Sequence, residues 1–322
     1  MGQAIKIVLL LGLVAVTALI AFFAVFFFRP IATTVWFRRN ALRRIGLQRR
    51  KIATTVGEQM VWHGGSGPLL VLLHGAGDQA GTWHKVAPQW KRHFQLVIPD
   101  LAGHGESDPV EGVLGLATLL TALEQVLAAI PWRETPLVLA GNSLGAWMAM
   151  LYAQKHPRRV SRVLLIDGGP IKSAAEIGLM PKNREEAKRA FEAVLDPATP
   201  RPPSFVLDDF VRVSNIGPIS RLLAAGKEDM SNYLLDGQLA SFPLPVDLIW
   251  GASDRLVPLD YAKTLQSQLP RSTLTVIAGC GHAPQLERPH KLTQVVLQVL
   301  ASHSTPASAT VRSGFRESGE KP

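Results

Sequence analysis

The feature that most constrains the fold is a series of six short apolar runs separated by segments with helical periodicity. Valine, leucine and isoleucine fill these runs without alternating with polar residues, which is typical of strands buried on both faces of a parallel sheet. This order predicts an α/β fold with a doubly wound, mostly parallel sheet. The predicted strands are 68–73, 95–99, 136–140, 160–166, 246–250 and 273–277, and the predicted helices are 118–130, 144–154, 259–268 and 286–300.

Three segments stand outside this alternation. Residues 52–55 and 59–62 are expected to form two antiparallel strands ahead of the parallel series. Residues 171–243 contain three stretches with helical spacing, several prolines and no clear strand, and this pattern predicts a helical insertion sized like a lid. Residues 303–322 are rich in serine, alanine, glycine and charge, and we expect a disordered tail.

The N-terminus is predicted to be a transmembrane anchor, residues 1–30. Residues 7–28 carry no charge, and such a helix is about 33 Å long, enough to cross a hydrocarbon core of about 30 Å. A cleaved signal peptide is the alternative, but its apolar region is shorter and ends in small residues, whereas this run ends in three phenylalanines and Arg29. Most of the basic residues follow the apolar run, which predicts a catalytic domain on the cytoplasmic side.

The net charge of +9 belongs to the N-terminal segment. Residues 1–51 contain nine lysines and arginines and no acid, so residues 52–322 sum to zero. This distribution argues against a nucleic-acid partner for the globular part. Residues 31–51 are interpreted as a basic juxtamembrane segment, which either lies against anionic lipid headgroups or is a basic linker. The single cysteine excludes an intrachain disulfide, and no Cys/His cluster has the spacing of a zinc site.

A Gly-x-Ser-x-Gly motif, Gly141-Asn142-Ser143-Leu144-Gly145, lies between a predicted strand and a predicted helix. A tight turn is the plainer interpretation. In this context, however, the motif indicates a nucleophile elbow, in which the flanking glycines give a strained serine the space that it needs. The N-terminus of the following helix favours developing negative charge. We therefore predict that Ser143 is a nucleophile.

A serine nucleophile needs a base and an acid that orients the base. Asp254 and His282 each follow a predicted strand downstream of Ser143, at the sheet edge where open α/β sheets bind their ligands. Asp167, at the end of the strand after Ser143, competes for the role of acid. Asp254 is favoured because its strand directly precedes the strand that leads to His282, while Asp167 either hydrogen-bonds loop amides or shares the acid role.

Two backbone N–H groups must hold the developing oxyanion. One is expected from Leu144, the residue after the nucleophile, and the other from the glycine-rich loop after the first parallel strand, where Ala76 is the favoured donor. His74, just before this loop, has a suitable side chain but an unsuitable position, and it is predicted to be structural or a loop anchor.

Taken together, these motifs resemble the α/β-hydrolase superfamily over about residues 54–302. The resemblance depends on the loop from His74 to Gly77, on PDLAGHGESD, on GNSLG, on GASD and on GHAPQLERP. It implies an α/β-hydrolase domain over 52–302, a Ser143–Asp254–His282 triad with Ala76 and Leu144 as oxyanion donors, and a helical cap that matches 171–243. The anchor combined with a cap resembles membrane-bound esterases and monoacylglycerol lipases.

The sequence thus predicts a membrane-anchored serine hydrolase of acyl esters that needs no metal and no organic cofactor. Its expected substrate is a small ester or a lipid, and its oligomeric state is left open. Two alternatives remain: a hydrolase of carbon–carbon bonds in ring-cleavage diketones, and a non-catalytic binding protein of the same fold. A serine nucleophile argues against the dehalogenases and epoxide hydrolases of this superfamily, which use an aspartate. Since all predicted catalytic residues lie beyond residue 51, residues 1–51 are expected to be dispensable for chemistry.

Overall fold

A computed structural model of the protein describes residues 2–130, 136–172 and 178–301. At its centre lies one eight-stranded sheet with the strand order β1-β2-β4-β3-β5-β6-β7-β8. Strand β2 pairs antiparallel with β1 and with β4, and the remaining neighbours pair parallel. The strands are β1 (Gln48–Thr54), β2 (Gly57–Gly65), β3 (Leu69–Leu73), β4 (Gln95–Pro99), β5 (Leu137–Asn142), β6 (Val160–Ile166), β7 (Val246–Gly251) and β8 (Ser272–Ile277).

Helices cover both faces of the sheet, and two clusters of buried apolar side chains fill the space between these layers. The helices are α1 (Gly2–Phe28), α2 (Pro30–Arg44), α3 (Ala87–Trp90), α4 (Leu116–Ala129), α5 (Leu144–Lys155), α6 (Arg184–Val194), α7 (Ser204–Ile216), α8 (Pro218–Ala224), α9 (Gly226–Ser231), α10 (Leu259–Gln268), α11 (Pro284–Glu287) and α12 (Pro289–Ala301). Two short 3₁₀ helices span Ala80–Lys85 and Leu239–Ser241. The predicted doubly wound α/β fold is confirmed.

The six predicted parallel-series strands all form, each within two residues of its predicted ends. One predicted helix differs. The segment 286–300 is divided into α11 and α12, with Arg288 in a non-helical conformation (φ −132°, ψ 53°) between them. Pro289 begins the second helix, where its missing N–H and fixed φ are tolerated, whereas inside a continuous helix it would remove a hydrogen bond.

The first strand begins earlier than the sequence predicts. Strand β1 starts at Gln48, so residues 48–51, which by composition belong to the predicted juxtamembrane segment, pair with β2 in the sheet. Its first four residues are exposed and three of them are basic, as suits an edge strand that must resist pairing with another chain. This composition is also what makes the segment resemble a lipid-facing one.

The N-terminal helix α1 is long and apolar enough to cross a membrane, and none of its residues is buried. It is the only such helix in the described part of the chain. Arg29 separates it from α2, which begins at Pro30 and has three buried residues, Pro30, Thr33 and Leu42. Residues 30–44 thus pack as part of the folded unit, where the sequence suggested a linker or a lipid-facing segment.

Helices α6 to α9 form the insertion between β6 and β7, in agreement with the absence of strands expected over 171–243. The described residues of this insertion exclude 173–177, so Ile177, one of its apolar residues, lies outside them, as does the predicted tail 303–322. Phe205, at the start of α7, lies against Phe26 and Phe27 of α1, with ring centroids 5.7 and 5.0 Å apart. The insertion therefore contacts the helix that is the candidate membrane span.

Candidate active site

Ser143 occupies the sharp turn between β5 and α5 and has a positive φ of 54°. Only one other non-glycine residue in the described chain, Asp167, has a positive φ. Such a conformation costs free energy for a residue with a Cβ and is typical of functional turns. The strain agrees with the nucleophile elbow predicted from the motif.

Glycines make this turn possible by allowing close approach of backbones. A Cβ on Gly141 would collide with the backbone of Gly145, and a Cβ on Gly145 would collide with the backbone of Leu73 in the neighbouring strand. A Cβ on Gly168, in the loop after β6, would lie 2.5 Å from the Cα of Ser143. The elbow is therefore packed so tightly that these three positions have no room for a side chain.

His282 and Asp254 form a buried pair at the same edge of the sheet. The Nδ1 atom of His282 lies 2.8 Å from Oδ2 of Asp254, and the two side chains are 7% and 0% exposed. The other carboxylate oxygen of Asp254, Oδ1, accepts the backbone N–H groups of Leu256 and Val257 at 2.9 Å each. Because both oxygens are engaged, the carboxylate has one orientation, and it presents Oδ2 to the imidazole.

The second ring nitrogen of His282 remains available. Its Nε2 atom is buried and has no hydrogen-bond partner among the described residues. A buried polar atom without a partner is uncommon and often has a chemical role. With Nδ1–H donated to a carboxylate, Nε2 is the unprotonated acceptor that a general base requires.

An amide network behind the elbow fixes His282 relative to Ser143. The side-chain amide of Asn142 donates to the carbonyl of His282 at 3.0 Å and to that of Ile166 at 3.1 Å. Gln285 in turn donates to Oδ1 of Asn142 at 3.1 Å. Sequence reasoning overlooked Asn142 and Gln285, since nothing in the variable positions of the motif distinguishes a buried amide from a surface one.

Asp167 is placed beside the acid but does not contact the base among the hydrogen bonds of the described residues. It is fully buried, and its Oδ1 accepts the N–H of Gly251, the last residue of β7, at 2.7 Å, so it bonds an amide at a strand end and not the loop amide that one of the two interpretations predicted. Burial and the nearby Asp254 carboxylate raise the pKa of Asp167 well above its usual range. The raised pKa favours the protonated form of Asp167, and Asp254 is the acid whose side chain contacts His282.

The loop after β3 brings Ala76 beside the elbow. A Cβ on Gly75 would lie 3.2 Å from the Cβ of Ser143, so this loop passes directly over the serine. The N–H of Asp78 donates to the carbonyl of Gly75 at 3.2 Å and closes a turn, and the N–H of Ala76 within this turn has no backbone partner among the described residues. Leu144 begins α5, and the first N–H groups of a helix have no partner within it. Both predicted oxyanion donors thus lie on backbone that flanks Ser143.

His74 anchors this loop, as predicted. Its Nδ1 atom lies 2.8 Å from the carbonyl of Gly75, and its Nε2 accepts the N–H of Leu101 at 2.9 Å, so both nitrogens are engaged and the tautomer is fixed. His104 packs against it with a ring-centroid distance of 5.2 Å. Burial lowers the pKa of His104 to about 3, so the His104 ring is neutral.

The insertion holds the loops that carry the acid and the base. The carbonyl of Val194, at the end of α6, accepts the N–H of His282 at 2.7 Å. Asp196 accepts the hydroxyl of Ser253 at 2.6 Å, and Glu287 accepts N–H groups from both Asp196 and Gly281. On the other side, Ile219 of α8 lies close to Gly77 in the loop after β3. The cap therefore touches each loop of the site.

Comparisons with known proteins agree with this architecture. A sequence profile of the alpha/beta hydrolase family matches residues 70–295. The chain is 29% identical to a pimeloyl-[acyl-carrier protein] methyl ester esterase from Yersinia enterocolitica, over 73% of this chain and 94% of that protein. It is 24% identical to a monoacylglycerol lipase from Mus musculus, over 75% and 78%. Among solved structures it is similar to a membrane phospholipase A described as a bacterial virulence factor, with a TM-score of 0.72 and 27% identity, covering 91% of this chain and 98% of that one.

Proposed function

The chain belongs to the alpha/beta hydrolase family, and we propose that within this family it is a membrane-anchored serine hydrolase that cleaves acyl esters. The observation that carries the proposal is the strained Ser143, which lies at the same sheet edge as a buried Asp254–His282 pair whose Nε2 is unpartnered. Esterases and lipases among its relatives support the same type of reaction.

The proposed reaction passes through an acyl-enzyme. Ser143 Oγ attacks the ester carbonyl carbon while His282 Nε2 takes the serine proton, and Asp254 stabilises the resulting imidazolium. The N–H groups of Ala76 and Leu144 donate to the carbonyl oxygen as it becomes negative. Collapse of the tetrahedral intermediate breaks the bond to the alcohol, which leaves with the proton from His282. Water then attacks the acyl carbon with His282 as base, and the carboxylic acid and free Ser143 are released.

We further propose that residues 1–30 anchor the enzyme in a membrane with the hydrolase domain, whose cap insertion is 171–243, on the cytoplasmic side. The apolar helix α1 and the excess of basic residues after it support this arrangement. An enzyme held at a bilayer meets lipid esters at high local concentration, so a lipid such as a monoacylglycerol is the favoured substrate class.

Labelling of the detergent-solubilised full chain with a fluorophosphonate probe, beside hydrolysis of a short p-nitrophenyl ester, tests the chemistry. Ser143→Ala should abolish labelling and lower kcat by at least about 10³-fold, because the nucleophile is lost while the fold is kept. Ser267→Ala, which changes an exposed serine on α10, is the matched control and should behave as the parent. Labelling of Ser143→Ala at the parental rate would refute the assignment.

The same preparation distinguishes the alternatives. A ring-cleavage dienoate assayed in parallel tests carbon–carbon bond hydrolysis, and turnover of the dienoate with none of the ester would favour that reaction. A parent chain that neither labels nor turns over either substrate would favour a non-catalytic binding protein.

A further inference from the structure

Two adjacent arginines on α2 face inward, toward the loop that carries Ala76. Arg39 makes three hydrogen bonds: Nε donates to Gln79 Oε1 at 3.2 Å, Nη1 to Glu106 Oε1 at 2.8 Å and Nη2 to Asp100 Oδ2 at 3.4 Å. Its side chain is 19% exposed. Arg38 lies 3.8 Å from Asp78. These contacts join the helix that follows the candidate membrane span to the loop that follows β3.

The acceptors of Arg39 are the groups that shape this loop. Gln79 Oε1 also accepts the N–H of Gly81 at 2.7 Å, which caps the 3₁₀ helix that ends the loop. Asp100 Oδ1 accepts the N–H of Ala80 at 2.6 Å. Residues 78, 79 and 80 are therefore each connected to α2, directly or through Asp100, and they lie two to four positions after Ala76.

The ion pair between Arg39 and Asp100 contributes more to stability than an ordinary surface ion pair does. The Asp100 side chain is 0% exposed, and Arg39 is the only cation within ion-pair distance of it among the described residues. A carboxylate removed from water must be compensated by charge or hydrogen bonds, and the loss of its cation makes its burial unfavourable. Without Arg39, the stable response is for Asp100 to move toward water and to release the N–H of Ala80.

Backbone position matters greatly at this loop. An oxyanion donor contributes only when its N–H lies at hydrogen-bond distance from the developing charge, and loss of one donor costs about 10²–10³-fold in kcat. Displacement of the loop by a fraction of an ångström would weaken the N–H of Ala76 without removing it, and we expect a smaller loss.

We propose that Arg39 is a positioning residue for the oxyanion hole, through which α2 holds the Ala76 amide in its active position. This inference rests on the proposed function. It assigns the basic segment a role inside the protein, beside any contact with lipid headgroups. The other end of α2 is fixed as well, because the N–H of Ile31 donates to the buried Asp209 of α7 at 3.0 Å.

The test compares Arg39→Ala and Arg39→Lys with Arg43→Ala, which changes an exposed arginine on the same helix. The full chain in detergent is first titrated with a fluorophosphonate at saturation, so that kcat is expressed per active site. Arg39→Ala should lower kcat per site by about tenfold to a hundredfold on a p-nitrophenyl ester, with KM changed by less than about threefold. Arg39→Lys should fall between Ala and the parent, because one ammonium cannot reach three acceptors. Arg43→Ala should match the parent.

A second readout separates positioning from a loss of folded protein. A trifluoromethyl ketone adds to the serine and places its oxyanion in the hole, so its Ki should rise in Arg39→Ala by about the factor that kcat/KM falls. A merely structural role would instead reduce the number of titrated sites and leave kcat per site and Ki unchanged, and this result would overturn the inference. If Arg39→Ala does not fold, Arg39→Lys decides: parental kcat per site and Ki in that variant would overturn it. A parent that neither labels nor hydrolyses esters would contradict the proposed function instead.

Discussion

Two truncations test where the folded domain begins. Removal of residues 1–28 deletes α1 alone, whereas removal of residues 1–51 also deletes α2 and the first half of β1. From the sequence, both should leave the chemistry intact, because every candidate catalytic residue lies beyond residue 51. The structure leads to a different expectation for the longer deletion, because residues 30–51 are packed against the body of the protein.

The cost of the longer deletion can be worked from three residues. Leu42 and Leu47 are 0% and 3% exposed, and full burial of such a side chain contributes about 1.5–3 kcal/mol each. Loss of Arg39 removes a charged hydrogen-bond partner from the buried Asp100, for about 1.5–3 kcal/mol more. The sum is about 5–9 kcal/mol, which is comparable with the whole free energy of unfolding of a typical domain. At about 2–4 °C per kcal/mol, the Tm should fall by at least about 10 °C, and much of the protein should be unfolded or aggregated.

The assay is thermal unfolding followed by circular dichroism, with size-exclusion chromatography and titration of active sites on the same samples. The deletion of 1–28 should give a monodisperse protein with kcat per site on a short ester within about twofold of the full chain. The deletion of 1–51 should be aggregated or unstable at 25 °C. A monodisperse 1–51 deletion whose Tm lies within about 2 °C of that of the 1–28 deletion would refute the assignment of α2 and β1 to the folded unit.

Three further predictions concern the acid, the buried Asp167 and the substrate. Asp254→Asn should lower kcat by about 10⁴-fold, as in another Ser–His–Asp triad, because Oδ1 stays on the N–H groups of Leu256 and Val257 and the new NH₂ then faces Nδ1 of His282. Asp167→Asn should keep kcat within about tenfold, and the reverse order of the two losses would transfer the acid role to Asp167. Burial raises the native pKa of Asp167, so its protonated form stabilises the fold below the unfolded pKa of about 3.9, and that contribution is lost as pH rises toward the native pKa. Asp167→Asn should therefore gain stability relative to the parent by about 1.4 kcal/mol per pH unit between about pH 4 and that native pKa. Equal slopes of the two proteins in unfolding experiments would contradict a raised pKa of Asp167. Finally, the 1–28 deletion should lose at least about tenfold in rate on a long-chain monoacylglycerol in vesicles while it keeps its rate on a soluble ester, and equal vesicle rates would favour a soluble ester as the substrate.

The strands and the elbow could be predicted because a single cause determines each. A strand buried on both faces must be apolar at nearly every position, and for that reason the runs 95–99 and 160–166 have the same bounds in the sequence interpretation and in the structure. The elbow needs glycine where backbones touch, so Gly141 and Gly145, placed between a predicted strand and a predicted helix, indicate the sharp turn at Ser143. In both cases few alternative structures are compatible with the residue types present.

The roles of charged residues were harder to predict, because their chemistry does not show which way they face. Arg39 and Arg43 belong to the same basic stretch, yet one reaches a buried carboxylate and the other is exposed. Residues 48–51 are basic because they form an edge strand, and the same composition suits a lipid surface. Asp167 and Asp254 both follow strands at the catalytic edge, and only their contacts with Gly251 and His282 show which of the two bonds the imidazole.

Helix α2 connects the candidate membrane span to the loops around the site. Only Arg29 separates α1 from α2, and α2 is fixed to the cap through Asp209 and to the loop after β3 through Arg39. The connection between α1 and the rest of the protein is therefore a packed helix and not a flexible linker. Arg39 lies nine residues after Pro30, which is about 14 Å along a helix, so the loop that carries Ala76 is tied to a point no farther than about 14 Å from the end of the proposed span. Under the proposed anchoring, the loop that carries Ala76 is held near the bilayer, an arrangement that suits an ester entering from the membrane.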